Sequence, residues 1–385
     1  MTIQKLREIA LSVLPRMFLP EQAVFAHCIR KGASGIAAEG VSQRYTAMTL
    51  IGLATESPAD ARGALAGMDP MALVAALLGR TPNWTNLGDT AVTLWAARLW
   101  GHGDAERALR RIQELDPVHA PHPTVEIAWT VAALTCGADK SPDADLAHAV
   151  ARRLMACYNP ATRLFPHQPV GAPAPFWRAH VGCFADQVYP IQSLAYFGMK
   201  FSDQPAIEAS RGCGKKICEV MGRDGQWWWH YDVRTGRVVE GYPVYAVHQD
   251  AMAPMCLFAA QEASGENFDA AVELGLRWLV HSPEIGGASL IDTDNGIIWR
   301  KVCRREPNKL TRAMQSAASW VHSSLRAPGV NGLFPPTEID WESRPYHMGW
   351  LLHAFPASRA DRFLPQSSGS NHDSARSHLA QPTPV

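Results

Sequence analysis

LGDTAVTLWAARLW, residues 87–100, carries one acid, Asp89, near its start and no further charge until Arg98. A helix with small or apolar side chains on every face is surrounded by other elements rather than laid on a surface. Five more stretches share this build, each opening on a polar or aromatic group. They are Arg44-Tyr45 in RYTAMTLIGL, Glu126 in VEIAWTVAALT, Asp186 in FADQVYPIQSLAYFG, Asp250 in HQDAMAPMCLFAAQ and Tyr346-His347 in RPYHMGWLLHAF. Between them lie segments of a different kind: 57–67, 104–115, 143–156, 204–221, 267–279 and 308–321 mix charged and apolar residues at helical spacing. That is the pattern of a helix with one wet face. Ser57-Pro58 and Asp104 supply start signals.

Alternation of surrounded and half-wet helices predicts six helical hairpins. The expected fold is all-α, an (α/α)6 toroid over residues 1–362, with the polar starts of the inner helices meeting in one central cleft. Spacing between the signposts lengthens from Glu126 onward, so the repeat is irregular. The extra length holds aromatic, turn-rich insertions at 158–169, 224–248 and 288–302. Arg234-Thr235-Gly236 and Asp294-Asn295-Gly296 are hairpin turn candidates, which predicts short β-hairpins on the rim where the inner helices begin. The tail, 363–385, is polar and Ser-rich and is expected to be disordered.

Composition narrows the function. The chain has 385 residues, 47% of them hydrophobic, with 36 basic and 36 acidic side chains. Zero formal charge argues against nucleic acid as a partner, since phosphate binding needs clustered Lys and Arg. No apolar run approaches the about 18 residues of a membrane span. The first 25 residues read as an amphipathic helix interrupted by Pro15 and Pro20, not as a secretory signal. The eight cysteines include no CxxC pair, and a cytoplasmic chain with small core cysteines is expected. No P-loop, GxGxxG or GxSxG signature occurs, so no cofactor is expected. No metal is expected either: Asp292-Thr293-Asp294-Asn295 runs into Gly296 as a turn, and Cys303 stands where an EF-hand needs Glu.

The acids at inner-helix starts are the first candidates for chemistry: Asp186 and Asp250, with Asp89 and Glu126 in support. Each is also explained by the helix dipole alone. Gathered in one cleft, a pair of them would suit acid–base work on a sugar. His248, two residues before Asp250, is the third catalytic candidate, and His180 with His248 would form a proton-moving pair. Trp227, Trp229 and Tyr231 would share one face of a strand, with Trp228 and His230 on the other. Trp227, Trp229, His230, Tyr189 and Tyr245 are expected to line a substrate. Arg300 belongs to a local basic patch; Arg344, Tyr346 and His347 would close the ring opposite Arg44-Tyr45, where Tyr45 is a further binding candidate.

The alternation of helices resembles two toroid groups. One is the six-hairpin glycosidase-like group, containing glycoside hydrolases, polysaccharide lyases and sugar epimerases. The other is the terpenoid cyclase and prenyltransferase toroid, which Asp224-Gly225-Gln226-Trp227 and the DxDD-like Asp292–Asn295 bring to mind. The first resemblance implies a carbohydrate-active enzyme with a small-molecule or oligosaccharide substrate and chemistry on Asp186, His248 and Asp250. The second implies an isoprenoid substrate. A toroid that only binds glycan or protein through its rim is the third reading.

Overall fold

The structure, a computed structural model, describes residues 1–137, 141–169, 175, 177–305, 308–325, 327 and 329–360. The tail expected at 363–385 lies outside the described residues. Fifteen helices matter here. They are α1 (Ile3–Met17), α2 (Gln43–Leu53), α3 (Pro58–Ala64), α4 (Pro70–Arg80), α5 (Leu87–Leu99), α6 (Glu106–Glu114), α7 (Thr124–Thr135) and α8 (Ser141–Ala156). Then follow α9 (Ala185–Phe201), α10 (Gln204–Glu219), α11 (Ala253–Ser264), α12 (Asp269–Val280), α13 (Asn308–Val321), α14 (Val330–Leu333) and α15 (Pro345–Ala354).

The six surrounded segments form a closed ring. α2 packs on α5, α5 on α7, α7 on α9, α9 on α11, α11 on α15, and α15 returns to α2. Outside it, α4 lies against α2 and α5, while α6, α8, α10 and α12 back α5, α7, α9 and α11. The chain is an (α/α)6 toroid. One expectation needs correction: residues 308–321 are helical, but α13 rests on the strand Arg237–Glu240 rather than backing an inner helix. The outer place beside α15 is taken by α1. An amphipathic pattern records that a helix has a dry face, not what that face meets. The outer helix α4, PMALVAALLGR, was absent from the alternation read above because it lacks the charged stripe.

Caps and prolines set the inner starts. Ser42 Oγ accepts the Tyr45 amide at 3.2 Å, and Asn86 Oδ1 accepts the Asp89 amide at 2.9 Å. Pro190 and Pro254 each stand four residues after an acid and cannot bond back to the carbonyls of Asp186 and Asp250. Before Pro254 the chain widens into a π turn over His248–Met252.

The insertions make small antiparallel sheets. Val181–Cys183 pairs with His230–Asp232, which pairs with Arg237–Glu240. Lys301–Cys303 lies between Val244–Tyr245 and Glu338–Asp340. Cys28–Gly32 lies between Gly35–Glu39 and Glu342–Ser343. Ile291–Asp292 pairs with Ile297–Ile298 across the expected turn. The segment 158–169 forms only an isolated bridge between Asn159 and Leu164. No helix among the described residues is long and apolar enough to cross a membrane.

Candidate functional site

The ring seam joins the two ends of the chain. Tyr45 at the start of α2 meets Tyr346 at the start of α15, ring centroids 4.6 Å apart. Arg344 Nη1 donates to the Tyr45 hydroxyl at 2.6 Å, and Arg344 Nε pairs with Glu342. Arg44-Tyr45 and Arg344–His347 are therefore neighbours across the seam, not opposite one another. Burial pushes the Glu342 carboxyl up, but Arg300 and Arg344 outweigh it and hold the group below its ordinary value. Arg300 also pairs with Asp340 at 3.3 Å and lies 5.4 Å from the Tyr245 ring.

Asp89 and Glu126 are both occupied. Asp89 pairs with Arg44, whose second nitrogen donates to Asn86 at 2.9 Å; Asn86 in turn donates to Glu126 at 2.8 Å. The Arg44 guanidinium lies 5.3 Å from the Trp129 ring, and Trp129 meets Tyr189 at 4.9 Å. Trp350 Nε1 donates to the Tyr189 hydroxyl at 3.1 Å. The inner starts thus carry a continuous band of aromatic and charged groups.

The densest part is at α11 and α15. His347 Nε2 lies 2.6 Å from Asp250 Oδ1, and both side chains are buried. A buried carboxylate accepting from one ring nitrogen leaves the proton-accepting lone pair on the other, here Nδ1. His248 stacks on Trp229, centroids 5.7 Å apart with 12° between planes, and touches Tyr245 at 4.9 Å. Burial drives His248 down to about 3, against an opposing pull from the Trp227 backbone; His347 and Arg300 also lower it. His248 is neutral near pH 7 and feels the neighbouring His347. Among the described residues, His248 Nδ1, Asp250 Oδ2, Trp129 Nε1 and Trp229 Nε1 are buried without a hydrogen-bond partner. Buried polar atoms are normally paired; of these four, two stand at the start of the α11 segment, one on the Trp229 ring that stacks on it and one within α7.

Asp186 sits at the start of α9, fully buried. Its Oδ2 accepts the Cys183 amide at 2.7 Å, and His167 Nδ1 lies 3.1 and 3.2 Å from its two oxygens. The hydrogen bond and charge of Asp186 raise the His167 pKa above its ordinary value. His167 was not among the candidates read from sequence. It lies in an irregular segment, far along the chain from Asp186, and only folding brings the two together.

Other candidates fall elsewhere. The extended strand expected over 227–231 begins only at His230. Trp227 is wholly buried, 5.8 Å from Phe184, so its ring is core. Trp229 is half-buried and reaches His248. His180 is buried and lies 2.9 Å from Ser319 Oγ, in the neighbourhood of Asp232 and Arg234. His347, not His180, is the histidine beside His248. The Asp292–Asn295 turn is closed on itself: Asp292 accepts from Asn295 at 3.0 and 2.8 Å and from Trp299 Nε1 at 3.2 Å. A cavity of about 480 Å³ lined by Trp228, Glu240, Tyr242 and Arg304 lies beside α13, away from the inner starts.

No family model matches the chain, and no curated protein matches it. Solved structures do match in shape. A sugar epimerase from a ruminal bacterium superposes with a TM-score of 0.59 at 11% identity, covering 92% of this chain and 98% of that one. The cellobiose 2-epimerase of Bacillus thermoamylovorans gives 0.59 at 9% identity, covering 92% and 99%. A glycosidase in complex with glucose gives 0.55 at 13% identity, covering 94% and 98%. This chain shares the α/α toroid fold with these sugar epimerases and this glycosidase.

Proposed function

We propose that this protein is a carbohydrate-active enzyme of the epimerase type, in which histidines move a proton on a sugar. The observation that carries the reading is the buried Asp250–His347 pair beside neutral His248. Carboxylate-pair hydrolysis needs one acid held protonated and one held ionised. Here Asp89, Glu126, Asp186 and Asp250 each have a protein partner, and three of those partners are Arg44, His167 and His347. Two imidazoles from adjacent inner helices suit removal of a proton from the carbon next to an open-chain sugar carbonyl and its return on the other face. The Arg344 guanidinium and the Tyr45 hydroxyl would stabilise the enediolate oxygens. Trp229 and Tyr245 offer flat faces to the sugar. The epimerases and glycosidases of like fold support the substrate class.

The test is incubation with a panel of free aldoses and reducing disaccharides in heavy water, read by NMR. Deuterium should enter at the carbon beside the carbonyl, with an epimer appearing. His248→Asn and His347→Asn should lose both. Glycoside hydrolysis without exchange, unchanged in those variants, would replace this reading with a hydrolase.

A further inference from the structure

His167, Cys183 and Asp186 offer a ring nitrogen, a thiol sulfur and a carboxylate oxygen that all lie within 4.8 Å of one another. We propose that these three side chains form a binding site for a thiophilic divalent cation of the zinc type, separate from the His248–His347 centre. The donor set is the first argument: nitrogen, sulfur and oxygen together suit Zn²⁺, whereas Mg²⁺ and Ca²⁺ take oxygen alone. The second is geometry. His167 Nδ1 is nearly equidistant from both Asp186 oxygens, at 3.1 and 3.2 Å. The imidazole nitrogen thus faces the middle of the carboxylate and is close to both oxygens.

One buried histidine borders the site. His230 is the cross-strand partner of Cys183, so both side chains stand on one face of the sheet. His230 is 3% exposed, and its Nε2 has no partner among the described residues. His230 is not one of the three donors within 4.8 Å of one another, so it borders the site, and water would complete a tetrahedral shell. His230 also lines a cavity of about 310 Å³ with Trp177, Arg178 and Arg312. The Cys183 amide fixes the Asp186 carboxylate at 2.7 Å, as the supporting shell of a metal site does. Binding is a plain exchange: the Cys183 thiol loses its proton to solvent and the thiolate sulfur bonds the metal.

The experiment uses the full chain with Co²⁺, whose thiolate charge-transfer absorption reports sulfur ligation, followed by displacement with Zn²⁺. One Co²⁺ per chain should bind with that absorption. Cys183→Ser should abolish the absorption, and His167→Ala, at a half-exposed position, should weaken binding by more than about tenfold. Thermal melting of each variant without metal checks the fold, and His167→Ala keeps the test open should Cys183→Ser fail to fold. No Co²⁺ binding to the wild type overturns the proposal. So does a charge-transfer band that survives Cys183→Ser, since seven other cysteines remain, or an affinity unmoved by His167→Ala.

Discussion

Asp250 has a reason to be an acid that the helix dipole does not supply. A capping role would turn its carboxylate to free amides, but Oδ1 is committed to His347 and Oδ2 has no described partner. Asp250→Asn keeps the shape and removes the charge that would hold an imidazolium. The expected outcome is a fall in sugar turnover of about 100-fold or more with the melting temperature little changed, read by NMR assay and calorimetry. Buried histidines also set the acid response. His248 and His353 are held by burial at about 3 and about 4, against an ordinary 6.5. Below pH 6.5 the unfolded chain binds protons that the folded one refuses. Stability therefore falls as pH falls, with a slope approaching about 1.4 kcal/mol per pH unit for each histidine. His167 works in the other sense: its raised value stabilises most below pH 6.5 and loses that as pH rises through its folded pKa. Urea midpoints at several pH values should show the acid loss, and His353→Phe should flatten it. At this scale the acids at the inner starts were legible in sequence, because a charged residue heading an uncharged helix is conspicuous. Their partners were not, because Arg44–Asp89, His347–Asp250 and His167–Asp186 join residues on different helices and loops.

The contact that closes the ring depends on two glycines. A Cβ on Gly52 would stand 2.0 Å from the Gly349 carbonyl oxygen, and one on Gly349 would stand 2.6 Å from Thr49 Cα. α2 and α15 touch backbone to backbone there. Gly52→Ala or Gly349→Ala should each destabilise by about 1–3 kcal/mol or more, measured by denaturant unfolding. Reading the elements from sequence worked where periodicity is an intrinsic signal: the six inner helices and the 291–298 hairpin stand where the pattern put them. It failed where a partner decides the outcome. The Trp227–Tyr231 run looks like a strand, yet the register shifts at His230/Tyr231 and Trp227 turns into the core. The dry face of α13 meets a strand rather than a helix, and nothing in its spacing distinguishes the two.

Across the whole molecule, α1 acts as a clasp. It lies beside α15 and α3, so the first helix backs the last inner one. Arg7 and Glu56 form a buried ion pair at 2.7 Å, side chains 6% and 2% exposed, and Arg7 also donates to the Phe355 carbonyl. Arg7→Leu would strand the Glu56 charge in a dry site and should cost about 3–5 kcal/mol of unfolding free energy, measured in urea. The sequence by itself determined that six helices are surrounded and that acids, aromatics and histidines stand at their starts, since burial pattern and capping are local properties of a helix. Only the tertiary structure decided that α1 backs α15, which acid meets which base, and that His167 and Cys183 join Asp186. Those pairings depend on where distant segments arrive in space, and helical periodicity carries no record of that.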